Sequence, residues 1–105
     1  MIGLGKYSSN IKNLLYRGEA TFEISDDNGN YKIALDLTNA DFDFDKIITK
    51  EAKEDGNKLT AVLETSIFPG KDVDLELTFD GDVCNGFLKV PFVGKIKIDN
   101  AKKIN

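Results

Sequence analysis

The chain predicts an all-β fold, an antiparallel meander of about eight strands closing into a small barrel. Three observations predict it. Apolar and polar residues alternate through most of the sequence: Ala20, Phe22 and Ile24 with Thr21, Glu23 and Ser25; Tyr31, Ile33, Leu35 and Leu37 with Lys32, Ala34, Asp36 and Thr38; Val73, Leu75, Leu77 and Phe79 with Asp72, Asp74, Glu76, Thr78 and Asp80. Successive side chains of a strand point to opposite faces, so each run is a strand with one buried side and one wet side. Turn signals recur at short intervals, and no segment reads as a long amphipathic helix.

Taken in order, the predicted strands cover about 5–14, 18–25, 31–38, 41–51, 58–66, 72–80, 85–91 and 93–100. In the first, Tyr7, Ser9, Ile11 and Asn13 share a face, although Ile11–Tyr16 also suits a short helical turn. Asp26-Asp27-Asn28-Gly29-Asn30 joins the second and third; Asn-Gly between alternating runs signals a type I′ hairpin. In the fourth, Phe42 and Phe44 alternate with Asp41, Asp43 and Asp45. Ile47–Glu54 would suit a helix by propensity, but that alternation favours a strand. Asp55-Gly56-Asn57, Phe68-Pro69-Gly70-Lys71, Asp80-Gly81-Asp82, Asn85-Gly86 and Val93-Gly94 mark the later turns. Pro91 removes a ladder donor and belongs at a bulge, a bend or an edge. A meander with few long connections closes easily, and closure removes exposed edges, so a barrel is preferred to the alternative, a two-sheet β-sandwich.

At 105 residues the chain is expected to form one domain, 1–105. Hydrophobic residues at 41% and charged residues at 30% give a globular balance, which argues against disorder. The formal charge of −4 argues against nucleic acid and against an anionic membrane surface as partners. One cysteine, Cys84, permits no intramolecular disulfide and fits a reducing compartment. Met1–Lys6 lacks the pattern of a signal peptide, and no run approaches the roughly 20 apolar residues of a membrane helix. The expected location is cytoplasmic.

The sequence contains no histidine, the commonest general base and metal ligand. No catalytic residue, metal site or cofactor is therefore expected, and the chain does not read as an enzyme. Asp26, Asp27, Asn28 and Asn30 lack the twelfth-position glutamate of a calcium loop and read as a turn. Asp41, Asp43 and Asp45, and Asp72 to Asp80, read as solvated faces, with Lys58, Lys89, Lys95 and Lys97 expected beside them. Cys84 reads as a small buried hydrophobe. Phe87-Leu88-Lys89-Val90-Pro91-Phe92-Val93 is apolar on both faces, and Phe68 precedes a Pro-Gly turn; an apolar surface of this kind marks a contact site.

Gly56-Asn57-Lys58-Leu59, Val73–Phe79, Asp80-Gly81-Asp82, Asn85-Gly86 before Phe87-Leu88-Lys89-Val90, and Pro91-Phe92-Val93-Gly94-Lys95-Ile96, with Gly5-Lys6-Tyr7 at the start, form an ordered set. In that order and spacing the chain resembles a small calycin-like β-barrel domain of bacteria, notably clostridia. That domain occurs as short hypothetical proteins and appended to flavin-dependent oxidoreductases. The small-residue and Pro-Gly turn that often follows the family's first strand is replaced here by Asn13-Leu14-Leu15-Tyr16-Arg17-Gly18. The resemblance implies a lipocalin- or streptavidin-like barrel with an accessory or ligand-binding role, and it supplies no catalytic residue.

Two functions follow as expectations. The first is a non-enzymatic interaction module with a packed core, contacting a protein partner or a second copy through Phe68, Phe87 and Phe92. The second is a binder of a small apolar ligand, with Tyr7, Tyr31, Phe42 and Phe44 lining the site.

Overall fold

The computed structural model describes residues 1–12, 17–37, 47–65, 70–92 and 94–104. They form eight strands: β1 Gly5–Lys12, β2 Arg17–Asp27, β3 Asn30–Leu37, β4 Ile47–Asp55, β5 Lys58–Thr65, β6 Asp72–Asp80, β7 Val83–Val90 and β8 Gly94–Lys103. All pairings are antiparallel, and the sheet order is β3-β2-β1-β8-β7-β6-β5-β4. Each strand pairs with its sequence neighbour, and the first strand pairs with the last. Among the described residues the ladder is interrupted only between β3 and β4. The sheet curls until these two strands meet, and the result is a nearly closed barrel rather than a sandwich.

The alternation in the sequence becomes the inside and outside of this barrel. Leu59, Ala61 and Leu63 of β5, and Val73, Leu75, Leu77 and Phe79 of β6, are buried. Tyr7, Phe22, Ile24, Ile33, Cys84, Leu88, Val90, Ile98 and Ala101 complete the interior. Tyr7 stacks on Phe22 with ring centroids 5.2 Å apart, and it lies 5.8 Å from the Phe79 ring. Ile47–Asp55 is a strand, which agrees with the predicted strand over 47–51 and runs four residues beyond its predicted end, because pairing with β5 continues to Asp55 and overrides the helical propensity. Residues 41–46 of the predicted fourth strand lie outside the described residues.

The three tight hairpins fall where turn signals placed them, but Asn85-Gly86, also read as a turn, lies within β7, where both residues pair with β6. Asn28 and Gly29 both have positive φ, +54° and +89°, as a type I′ turn needs, and Asp26 Oδ1 accepts the Gly29 N–H at 2.7 Å. Gly56 and Gly81, at φ +62° and +61°, open the β4–β5 and β6–β7 turns. Pro91 follows β7 in a turn. The last strand runs three residues beyond its predicted end, to Lys103. A bulge permits this: Cys84 pairs with Ala101 and Gly86 with Ile98, so β8 carries one extra residue. Asn100 takes φ +51° there, and its N–H donates to Asn85 Oδ1 at 2.7 Å.

Gly86 is fixed by close approach. A Cβ at this position would lie 1.8 Å from the Glu76 carbonyl oxygen on β6. Only a residue without a side chain lets β6 and β7 pair here.

Candidate interaction site

The two expected ligand-lining tyrosines come together at one end of the barrel, where both meet the N-terminal segment. Tyr7 is 2% exposed, and its hydroxyl donates to the Gly3 carbonyl at 3.1 Å. Tyr31 accepts the Ile2 N–H at 2.7 Å and donates to Glu54 Oε1 at 2.5 Å. Residues 1–4 therefore form a strap across this end. Gly3 rests on Phe79 so closely that a Cβ would lie 2.2 Å from the ring. Burial raises the pKa of both phenols, and the bond to Glu54 adds to the effect at Tyr31. Phe42 and Phe44, the other expected lining residues, lie outside the described residues.

The strap also clasps the β3–β4 seam. Tyr31 of β3 reaches Glu54 of β4, and the Ile33 N–H donates to Thr49 Oγ1 at 3.3 Å. Side chains join the two edges here in place of a backbone ladder.

The chemically reactive groups are held quiet. Cys84 is fully buried, and burial pushes its thiol up to about 12. A thiol that stays protonated is a poor nucleophile. Among the described residues, no three His, Cys, Asp or Glu side chains are grouped to hold a metal.

The outer face is different. A groove of about 400 Å³ crosses the outside of β4–β7, with Val62 and Phe87 supplying apolar surface and Glu51, Lys53, Asp74 and Lys89 supplying charge. Strand pairing brings these together: Glu51 faces Val62, Val62 faces Asp74, and Asp74 faces Lys89. Of the four expected basic neighbours, Lys89 stands opposite Asp74 and Lys58 Nζ lies 3.5 Å from Glu76, whereas Lys95 and Lys97 lie on β8, one strand beyond β7. Lys50 adds a partner the sequence reading did not name, 2.9 Å from Asp72.

Two of the three expected contact aromatics sit on the β7–β8 hairpin. Phe87 is half-buried on the outer face beneath Lys95 Nζ, which lies 4.1 Å from the ring centroid. Phe92, in the connecting turn, is 88% exposed and takes φ +67°. Phe68 lies outside the described residues. One feature of this hairpin escaped the sequence reading: Lys89 stands directly opposite Lys95. Counting back from the Val93-Gly94 turn would have revealed the pair. Comparison with protein-family models, curated proteins and solved structures finds no match to this chain.

Proposed function

We propose that the chain is a non-enzymatic interaction module of the calycin-like kind, working in the cytoplasm, whose barrel is a scaffold and whose outer surface makes the contacts. The carrying observation is the packing of the described inward side chains: those of β5, β6 and β7 are buried against one another and against the Tyr7–Phe22–Phe79 aromatic group. The interior of an eight-stranded barrel is narrow enough for side chains to fill. Support also comes from the outer groove and the exposed Phe92, where apolar surface meets solvent.

The test is titration with an environment-sensitive apolar dye, together with sedimentation over a wide concentration range. The module reading expects no saturable uptake by the interior. Stoichiometric uptake, weakened by substitutions at inward positions, would replace it with the ligand-binding reading.

One observation favours that second reading. Thr65, inward-facing at the end of β5 and 4% exposed, has a hydroxyl with no hydrogen-bond partner among the described residues. A buried orphan hydroxyl calls for a water or a ligand's polar group. Under this reading Thr65→Val abolishes dye uptake; under the module reading there is no uptake to abolish.

A further inference from the structure

We infer that the tip of the β7–β8 hairpin is the recognition surface of this module, and that its partner is an acidic protein segment bearing an apolar anchor. The inference rests on the interaction-module reading and names the surface and the chemistry of the partner.

Three locally unfavourable choices coincide at this hairpin. Lys89 and Lys95 face each other across neighbouring strands, and both are exposed. Like charges placed directly opposite repel. Lys97, opposite Phe87, adds a third exposed cation on the same face. Among the described residues Lys95 and Lys97 have no carboxylate within ion-pair distance, and Lys89 has Asp74 opposite it on β6 without an ion pair, whereas Lys50, Lys53 and Lys58 are each in one. Phe92 is then doubly anomalous: a large aromatic, 88% exposed, at φ +67°. Bulky side chains seldom adopt that backbone region, and the other hairpin turns fill it with Asn or Gly. Strain and repulsion gathered at one exposed spot, on a scaffold whose other turns obey the rules, mark function.

Charge complementarity chooses the partner. The hairpin presents cations to a partner, so the partner carries anions. An extended polyanion, such as a nucleic acid or an anionic bilayer, would also meet the adjacent acidic strand β6 with Asp72, Asp74 and Asp80, on a chain of formal charge −4. A short acidic segment laid along Lys95 and Lys97 of β8 is separated from the β6 carboxylates by β7. Phe92 would seat against its apolar residue, and Phe87 with Lys95 would form the flank.

The test uses the full chain, labelled with nitrogen-15, and a short peptide alternating glutamate with leucine. Single-stranded oligothymidine and phosphatidylserine vesicles serve as competing probes. Amide shifts on adding the peptide should cluster in 86–98. Replacing all three lysines (K89Q, K95Q and K97Q together) should weaken binding about tenfold, as loss of complementary charge does. Lys32→Gln, on β3, should leave binding unchanged. Phe92→Gly should weaken binding while keeping or raising the melting temperature, because it relieves the backbone. Shifts elsewhere, indifference to the triple replacement, or stronger binding to oligothymidine or vesicles would overturn the assignment. So would a lower melting temperature for Phe92→Gly, which would make Phe92 a structural residue. Any of these without dye uptake by the interior removes the hairpin assignment alone; stoichiometric dye uptake removes the module reading itself.

Discussion

At the strapped end of the barrel, Gly3 lies on the Phe79 ring, the Tyr7 hydroxyl is bonded to Gly3, and Tyr31 bonds both Ile2 and Glu54. The left-handed turn positions there are Asn28, Gly29, Gly56 and Gly81. At the β7–β8 tip the positive-φ positions are held by Phe92 and Gly94, and a lysine faces a lysine. The first end satisfies its polar groups and hides its aromatics. The second leaves an aromatic in solvent and sets like charges opposite each other. The contrast is between a strap held by hydrogen bonds and a β7–β8 turn carrying surface that folding alone would not select.

The largest break is expected from Gly86→Ala on β7, the strand that leads to the tip. The added methyl would overlap the Glu76 carbonyl, which the ladder prevents from moving. A loss of about 3 kcal/mol or more is expected in urea unfolding, and the soluble yield should fall with it. Gly3→Ala sharpens the comparison at the strapped end: it meets the Phe79 ring and a φ of +70° together. It should cost about 2 kcal/mol. Tyr31→Phe removes one hydroxyl that serves two partners and leaves the Ile2 N–H unpaired. It should cost about 1 kcal/mol in the same assay.

The smallest effect at neutral pH, and a growing one above it, is alkaline loss. Cys84 has an ordinary pKa of 9.0 and is held near 12 in the fold, and Tyr7 and Tyr31 are raised above 10.0. The unfolded chain therefore releases protons first. The contribution of these groups is complete below about pH 9 and is lost as pH rises toward the folded values. Urea midpoints measured across this range should fall steadily, and Cys84→Ala should flatten the decline.

The architecture was legible because it depends on local rules. Alternation marked inside from outside on β2, β3, β5 and β6, and Asn28-Gly29, Gly56-Asn57 and Gly81-Asp82 marked the hairpins. What escaped is what only strand pairing creates. The extension of β8 needed the Asn100 bulge and its bond to Asn85, which no period-two pattern announces. The strap over Phe79 joins residues far apart in sequence, and Tyr31, read from the sequence as lining a ligand site, bonds Ile2 and Glu54. At the candidate site Phe87 and Phe92 stood out by hydrophobicity alone. The Lys89–Lys95 pair did not, because the residues are six apart and become neighbours only through the hairpin register.

The most direct measurement compares the two ends in one experiment: parallel urea unfolding of Phe79→Ala and Phe92→Ala. Phe79 lies beneath the strap against Tyr7, so its truncation should cost about 3–5 kcal/mol, while truncating the exposed Phe92 should stay within about 0.5 kcal/mol. Equal losses, or a larger loss at Phe92, would contradict the division between a securing end and a presenting end.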